Sequence, residues 1–201
     1  MRSLRIAALL LFFNFFLAPP ALLAASPPVA PPSCSVRLSI AAKRLRISAD
    51  DWLETTATLE NVGSTEVVLV EPGDGSEDGW RTPVIRWSAR RIEPGQATAA
   101  TTLEPEGRCG LMNGPNPAVE VFVLAPGRSR RLRMPLVAPR LGPPGVYEVT
   151  LTYDNEPRMA FHGTSPNDPA VRRYRESTAC LVTSNTLRVK VIAGSTGNHK
   201  S

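Results

Sequence analysis

The residues best suited to recognition chemistry lie in one loop, Glu71 to Thr82, between two apolar and β-branched runs. The candidate contacts are Asp74, Glu77, Asp78, Trp80 and Arg81. Asp74 to Gly79 spaces its oxygens like the first half of a helix-loop-helix calcium site, but position twelve, which requires a bidentate glutamate, is Ile85. We therefore predict a binding loop without a metal. A looser calcium site, with a second loop completing the ligands, is the alternative.

Two pairs of tryptophan and arginine bracket this loop, Trp80 with Arg81 and Arg86 with Trp87. An arginine stacked on tryptophan occurs both in recognition surfaces and as a cover for sheet edges. The neighbours of Trp87 alternate as in a half-buried strand, so we predict that Trp87 belongs to the core. Trp80 follows a glycine and is the better contact candidate; the alternative is that it folds over the end of the domain.

The sequence does not favour an enzyme. Of its two histidines, His199 is near the C-terminus and His162 stands alone in a long loop. The chain contains no G-x-S-x-G or H-E-x-x-H pattern, so neither a nucleophile with an oriented base nor a zinc site is indicated. We expect no cofactor and no metal, with a small hydrolase built on His162 as the enzymatic alternative.

Arginines recur at Arg128–Arg133 and at Arg172–Arg175, where they could meet phosphate or carboxylate groups. Outward arginines on strands and helices are usually the solvated face of the element. No aromatic residues are interleaved with them as in nucleic-acid-binding segments, so we expect no nucleic-acid partner.

The first residues have the order of a secretory signal. A basic start at Arg2 and Arg5 precedes an apolar run, a Pro19-Pro20 break and small residues up to Ala25. We predict a signal peptide over 1–25 and a proline-rich extended linker over 26–33. The protein should be secreted or periplasmic, without stable insertion in the membrane after cleavage.

Composition fits one exported domain over 34–193, followed by a disordered tail over 194–201. Removing the signal leaves 21 basic against 18 acidic residues, a net charge of +3 that does not by itself imply a nucleic-acid partner. Only 3 of the 23 basic residues are lysine, a bias typical of a GC-rich bacterial genome.

Three cysteines in an exported chain predict one disulfide and one remaining thiol. The possible pairs are Cys109–Cys180, Cys34–Cys109 and Cys34–Cys180. We favour Cys109–Cys180, because both residues lie well inside the predicted domain whereas Cys34 is at its edge.

Short alternating segments between turn residues predict antiparallel β structure. The strands are expected at 34–40, 43–47, 53–59, 65–70, 83–88, 97–103, 119–123, 130–136, 146–153, 180–183 and 187–192. We expect 65–70 to pair back on 53–59 and 43–47 to be an edge strand. If 65–70 and 83–88 are successive strands with no extra strand at 97–103, the 72–82 and 154–178 loops share one end. One short helix should begin at Asn167-Asp168-Pro169, with Val171 and Tyr174 inward.

This pattern resembles an immunoglobulin-like or fibronectin-III-like β-sandwich. The resemblance rests on the Leu59–Gly63 and Leu124–Arg128 turns and on Pro144–Val149, P-G-V-Y-E-V. In such folds a tyrosine after a P-G turn often ties the strand to the preceding loop. The resemblance implies a single antiparallel sandwich with one short helix, similar to secreted bacterial proteins of uncharacterised function.

A sandwich mainly serves as a scaffold for loops, so we expect a non-catalytic exported module that binds a protein or glycan or is structural in the cell envelope. We expect a monomer or a weak oligomer. The alternative is a sandwich that presents an exposed loop to a protease, as an inhibitor does.

Overall fold

The described part of the chain is mostly β structure with two short helices. The computed structural model describes residues 34–73, 80–92, 98–103, 115–132, 136–138 and 141–194, with backbone alone for 136–138. The predicted signal peptide, the proline-rich linker and the tail beyond Gly194 lie outside these ranges. Within them, no helix is long and apolar enough to cross a membrane.

The strands belong to three sheets. A four-stranded sheet contains β1 (Val36–Ala42), β3 (Leu53–Asn61), β8 (Ser129–Arg131) and β9 (Leu136–Ala138), with β3 in the middle. A six-stranded sheet contains β2 (Arg46–Ser48), β12 (Leu187–Ile192), β10 (Gly145–Asn155), β5 (Ile85–Ile92), β6 (Thr101–Leu103) and β11 (Cys180–Thr183), the last paired with β10. The third sheet pairs β4 (Val67–Val70) with β7 (Val121–Leu124).

Alternation along the strands explains the core. On β10, Tyr147, Val149, Leu151 and Tyr153 alternate with more exposed residues, and all four are buried. Val189 and Val191 of β12 and Trp87 of β5 join them, so the prediction that Trp87 belongs to the core is confirmed. One buried apolar cluster draws on strands from all three sheets.

The helix α2 (Pro169–Arg175) begins where the sequence predicts. The Asp168 side chain accepts a hydrogen bond from the Ala170 N–H at 2.7 Å, and Pro169 occupies the first turn, where its missing N–H costs nothing. Val171 and Tyr174 are buried, and the three arginines of the helix are exposed. The predicted helix and its inward face are confirmed.

Two strand predictions are wrong in their pairing. β4 does not return onto β3; it pairs with β7, in the register Val67 opposite Leu124. β3 is already occupied on both sides, by β1 on one and by β8 and β9 on the other. The strand count assumed no extra strand at 97–103, but β6 lies there and pairs with β5, so this condition fails.

The strand expected at 119–123 begins two residues later, at Val121. Val119 and Val123 are exposed, and Phe122 and Leu124 are buried. The strand is preceded by a second helix, α1 (Pro117–Glu120), which the sequence analysis did not predict.

The edge strand β2 is confirmed at the border of the six-stranded sheet, but it runs parallel to β12, with Ile47 opposite Val191. The expectation of a wholly antiparallel arrangement is therefore corrected at this edge.

The disulfide joins Cys34 to Cys180, with 4.9 Å between the Cα atoms, and this corrects the preferred pairing of Cys109 with Cys180. Cys34 lies two residues before β1, and Cys180 is the first residue of β11. Residues 146 positions apart in the chain are thus adjacent in space, a proximity that position along the sequence does not indicate. Cys109 lies outside the described residues.

Candidate functional site

Two loops meet beside the ends of β5 and β10. Arg81 and Phe161 form an isolated antiparallel bridge, in which the Thr82 N–H donates to the Ala160 carbonyl at 3.2 Å and the His162 N–H donates to the Trp80 carbonyl at 2.8 Å. We call Trp80–Thr82 and Ala160–His162 the loop junction. The prediction that the 72–82 and 154–178 loops share one end is confirmed for these segments, although the strand count behind it was wrong.

Arg81 is the centre of the loop junction, and its side chain is 0% exposed. One terminal nitrogen, Nη2, donates to the Glu71 carbonyl at 3.1 Å and to Glu120 Oε2 at 3.2 Å. The other, Nη1, donates to the Thr82 carbonyl at 3.3 Å. Within the described part of the chain Nε has no hydrogen-bond partner. A buried cation is tolerated only when charge and hydrogen bonds compensate it, so Glu120 is the partner that makes this burial possible.

Glu120, the last residue of α1, also receives a hydrogen bond from α2. The Tyr174 hydroxyl donates to Glu120 Oε2 at 2.9 Å and accepts from the Asn116 N–H at 3.0 Å. Burial raises the pKa of Tyr174 well above its ordinary value, and the negative charge of Glu120 adds to the effect. The hydroxyl is therefore held protonated as the donor that joins the two helices.

Three aromatic rings surround the guanidinium. Trp80, Phe161 and Tyr174 have ring centroids between 5.5 and 6.2 Å apart, the spacing of tilted and edge-to-face pairs. The Arg81 guanidinium carbon lies 5.0 Å from the Trp80 ring centroid and 5.9 Å from that of Tyr174. The rings exclude water from the ion pair and add cation–π attraction to it.

A second, half-buried ion pair adjoins the first. Arg130 of β8 contacts Glu71 Oε2 through Nη2 at 2.9 Å and through Nε at 3.0 Å, and its guanidinium lies 4.0 Å from the Phe122 ring centroid. The Glu71 N–H donates to the Glu120 carbonyl at 2.7 Å, which fixes the start of the 71–82 loop against α1. The loop is thus anchored on both sides of residues 74–79.

Tyr153 fastens the strand just before this loop. Its hydroxyl donates to the Val70 carbonyl at 2.8 Å and accepts from the Val70 N–H at 3.0 Å. Burial raises the pKa of Tyr153 well above its ordinary value, so the hydroxyl keeps its proton. The outer edge of β4 is therefore satisfied by a side chain where another strand would otherwise be needed.

The predicted contact residues fall into two groups. Trp80 and Arg81 are buried, at 7% and 0% exposed, which agrees with the alternative given for Trp80, that it folds over the end of the domain, and leaves little of either side chain open to a partner. The physical reason is that the ion pair with Glu120 and the contacts with the aromatic rings offset the loss of hydration of the Arg81 guanidinium. Asp74, Glu77 and Asp78 lie outside the described residues, and their role in binding stays a prediction.

The arginines of the two segments differ in their surroundings. Arg130 is used in the Glu71 ion pair, whereas Arg128 and Arg131 are exposed, and Arg133 lies outside the described residues. On α2, Arg172, Arg173 and Arg175 are exposed, and Arg173 contacts Glu176 at 3.1 Å.

Sequence reasoning missed Glu71 and Glu120 as the partners of Arg130 and Arg81. No neighbouring residue indicates that Glu71 pairs with an arginine, but the sequence does contain a helix-start pattern for α1. Asn116-Pro117 places proline in the first turn after a capping residue type, the same start that predicted α2. This start would have moved the beginning of the predicted strand to residue 121 and placed Glu120 on a helix.

The arrangement holds loops in place instead of presenting reactive groups. Glu71, Arg81 and Tyr174 are buried and bonded to protein groups, so their charges and protons serve the loop junction. His162 contributes its backbone N–H to the bridge, while its side chain is exposed. No group of three or more His, Cys, Asp or Glu side chains that could hold a metal occurs among the described residues.

No protein-family model matches the chain, and neither does any curated protein sequence. Among solved structures, the sporulation control protein Spo0M of Bacillus subtilis matches 80% of this chain and 50% of its own, with 10% identity and a TM-score of 0.41. A β-glucosidase from Erythrobacter marinus matches 79% of this chain but 15% of its own, with 13% identity and a TM-score of 0.37. A β-glucosidase from Listeria innocua matches to a similar extent, with 12% identity and a TM-score of 0.35. The chain thus spans half or less of these proteins, and such similarity assigns it neither a fold family nor an activity.

Proposed function

We propose that the protein is an exported, non-catalytic immunoglobulin-like module that binds a protein or glycan partner through the exposed part of its 156–168 loop. The observation that carries the proposal is the loop junction. It fixes this loop to the 80–82 segment through a backbone bridge and a buried Arg81–Glu120 ion pair.

A loop held in this way is suited to binding. Association normally costs conformational entropy when a mobile loop is ordered, and a loop fixed before the encounter avoids that cost. Ala160, His162 and Asn167 are exposed on the loop, while Met159 and Phe161 point into the interior and anchor it. The loop therefore offers polar groups on a rigid support.

Two features support an immunoglobulin-like architecture. The Tyr147 hydroxyl donates to the Pro143 carbonyl at 2.7 Å, the tie between strand and preceding loop expected of the P-G-V-Y element. The buried cluster joins both large sheets, as in a two-layer sandwich.

Export is supported by the N-terminal pattern of charge, apolar run and small residues and by the Cys34–Cys180 disulfide, a bond that persists in oxidising compartments. An exported domain with buried ion pairs at a loop junction is suited to recognition outside the cytoplasm.

The test uses a photoreactive amino acid placed at His162 or, as a matched control, at Pro144. Both positions are exposed, but they lie at opposite ends of β10. In cells that export the protein, we expect the probe at 162 to give a discrete protein or glycan adduct and the probe at 144 to give none. Equal adducts from both positions, or none from 162, would contradict the proposed binding surface.

A further inference from the structure

The outward face of the six-stranded sheet concentrates positive charge. Along β12, Val189 and Val191 point into the core, so Arg188 and Lys190 point outward. The same alternation on β2 buries Ile47 and exposes Arg46. On β5 it buries Trp87 and Ala89 and exposes Arg86 and Arg90. We call the outward residues of this sheet the basic face.

The strand register brings these cations side by side. Arg46 lies opposite Lys190, and Lys190 lies opposite Val146. In the next outward row, Arg188 lies opposite Glu148, which lies opposite Arg90. Directly opposed residues have Cβ atoms about 5 Å apart, and successive outward residues of one strand are about 7 Å apart. Arg46, Lys190 and Arg188 therefore form one compact group at the β2–β12 edge.

The carboxylates on the basic face are already engaged by β5. Asp154 binds Arg86 at 2.8 Å, and Glu148 binds Arg90. Among the described residues no carboxylate lies within ion-pair distance of Arg46, Arg188 or Lys190, and all three are exposed. The face thus has a surplus of three cations, which equals the net charge of +3 expected for the chain after signal removal. Three cations without an ion-pair partner among the described residues give this face a positive local potential.

Like charges placed opposite each other weaken a sheet, so this group costs stability unless an anion neutralises it. The neighbouring outward positions are small and hydroxylated: Thr150 lies opposite Ser88, which lies opposite Thr102, and Thr152 lies between Arg86 and Thr183. The path from β2 to β6 covers about 19 Å at the usual strand spacing. The basic face therefore combines cations for acidic groups with hydroxyls for polar groups along an extended surface.

We propose that the basic face binds a linear anionic polysaccharide, with Arg46, Arg188 and Lys190 contacting its carboxylate or sulfate groups and the threonine rows contacting its hydroxyls. Nucleic acid fits less well, because the outward positions named here include no aromatic side chain for stacking on bases. A lipid surface fits less well, because Leu45 is the single large exposed hydrophobic residue that borders the basic face among the described residues, whereas Val62, Val119 and Val123 lie on other elements. The inference rests on the proposed role as an exported binding module but uses a surface separate from the loop junction.

The test measures binding of the full chain to polygalacturonate and dextran sulfate, with neutral dextran, duplex DNA and phosphatidylglycerol vesicles for comparison. The test variant is Arg46→Gln with Arg188→Gln and Lys190→Gln. The matched control is Arg172→Gln with Arg173→Gln and Arg175→Gln, which removes the same charge from exposed positions of α2. We expect salt-sensitive binding to at least one acidic polysaccharide, weakened at least about tenfold in the test variant and much less in the control.

Equal weakening in both variants would reduce the effect to net charge and overturn the proposal, as would wild-type binding in the test variant. DNA or vesicles bound as tightly as the polysaccharides would assign the face to a different partner and overturn it too. His162→Ala should leave polysaccharide binding unchanged. The loop proposal and the basic-face proposal can therefore fail separately.

Discussion

At the scale of single residues, Arg81 has the most demanding position in the described structure. Its guanidinium is fully buried, and it donates hydrogen bonds to the neighbouring Thr82 carbonyl and to two other segments, at Glu71 and Glu120. Lysine could not replace it, because a single ammonium lacks the planar array of donors that reaches several acceptors at once. Arg81 thus connects the start of its own loop, at Glu71, to the end of α1, at Glu120.

Arg81→Met should destabilise the fold strongly. It keeps much of the side-chain volume but leaves Glu120 partly buried without its cation, and breaking a buried ion pair on one side costs about 3–5 kcal/mol. Urea unfolding followed by tryptophan fluorescence would measure the loss.

Two further variants test the reason for that loss. Arg172→Ala removes an exposed arginine and should change stability by less than about 0.5 kcal/mol. Adding Glu120→Gln to Arg81→Met should recover part of the stability, because no uncompensated carboxylate then remains. If Arg81→Met were as stable as the wild type, the ion pair would not be what holds the loop junction.

At the scale of elements, two tyrosine hydroxyls connect segments that the sequence pattern does not show to be neighbours. Tyr153 connects β10 to the outer edge of β4, and Tyr174 connects α2 to α1. Each hydroxyl is both a donor and an acceptor, which only the protonated form permits. The packing of these elements is therefore linked to proton binding.

We predict that stability falls as the pH rises above about 10, the ordinary pKa of tyrosine. In the unfolded chain both tyrosines lose their protons there, whereas the raised pKa values of the folded state retain them. The unfolded state then binds fewer protons, so each tyrosine lowers the unfolding free energy by about 1.4 kcal/mol per pH unit above its unfolded pKa. Below that pH their contribution is fully present.

Urea unfolding at several pH values between neutral and strongly alkaline would measure the slope. Tyr153→Phe should reduce the pH-dependent loss, because one of the two linked protons disappears, although it also costs about 1 kcal/mol at neutral pH through the lost hydrogen bonds. An unchanged slope in this variant would show that Tyr153 titrates normally in the folded state.

At the scale of the whole molecule, the Cys34–Cys180 bond joins the start of the first strand to the second-to-last strand. It closes nearly the entire domain into one loop. Cross-links that close long loops restrict the unfolded chain most. Of the three possible cysteine pairs, Cys34–Cys180 closes the longest loop, so it should stabilise the folded state most.

Removing this bond should lower the unfolding free energy by up to about 5 kcal/mol in the chain-entropy model. Cys34→Ser is the test variant, and Cys109→Ser is its control because it leaves the bond intact. Peptide mapping without reduction should find Cys34 linked to Cys180 and Cys109 open to alkylation. A Cys109–Cys180 peptide, or equal destabilisation by both variants, would contradict the assigned pairing.

The sequence by itself determined the local features of this protein. Alternation over a period of two located most strands and the buried face of β10, and a capping aspartate before proline located α2 and its inward residues. Alternation and helix capping depend on residues only a few positions apart in the chain, so they can be recognised before the tertiary structure is known. The sequence also singled out Trp80 and Arg81 and gave burial as the alternative for Trp80, but it did not indicate that Arg81 is buried.

Only the tertiary structure decided which distant segments meet. The pairing of β4 with β7, the parallel edge at β2, the Cys34–Cys180 bond and the burial of Arg81 against Glu120 all join residues far apart in the chain. A sequence pattern records whether a residue prefers the interior but not which partner will compensate it there. For a charged side chain the partner decides whether it can be buried, because Arg81 without Glu120 would have to remain in contact with water.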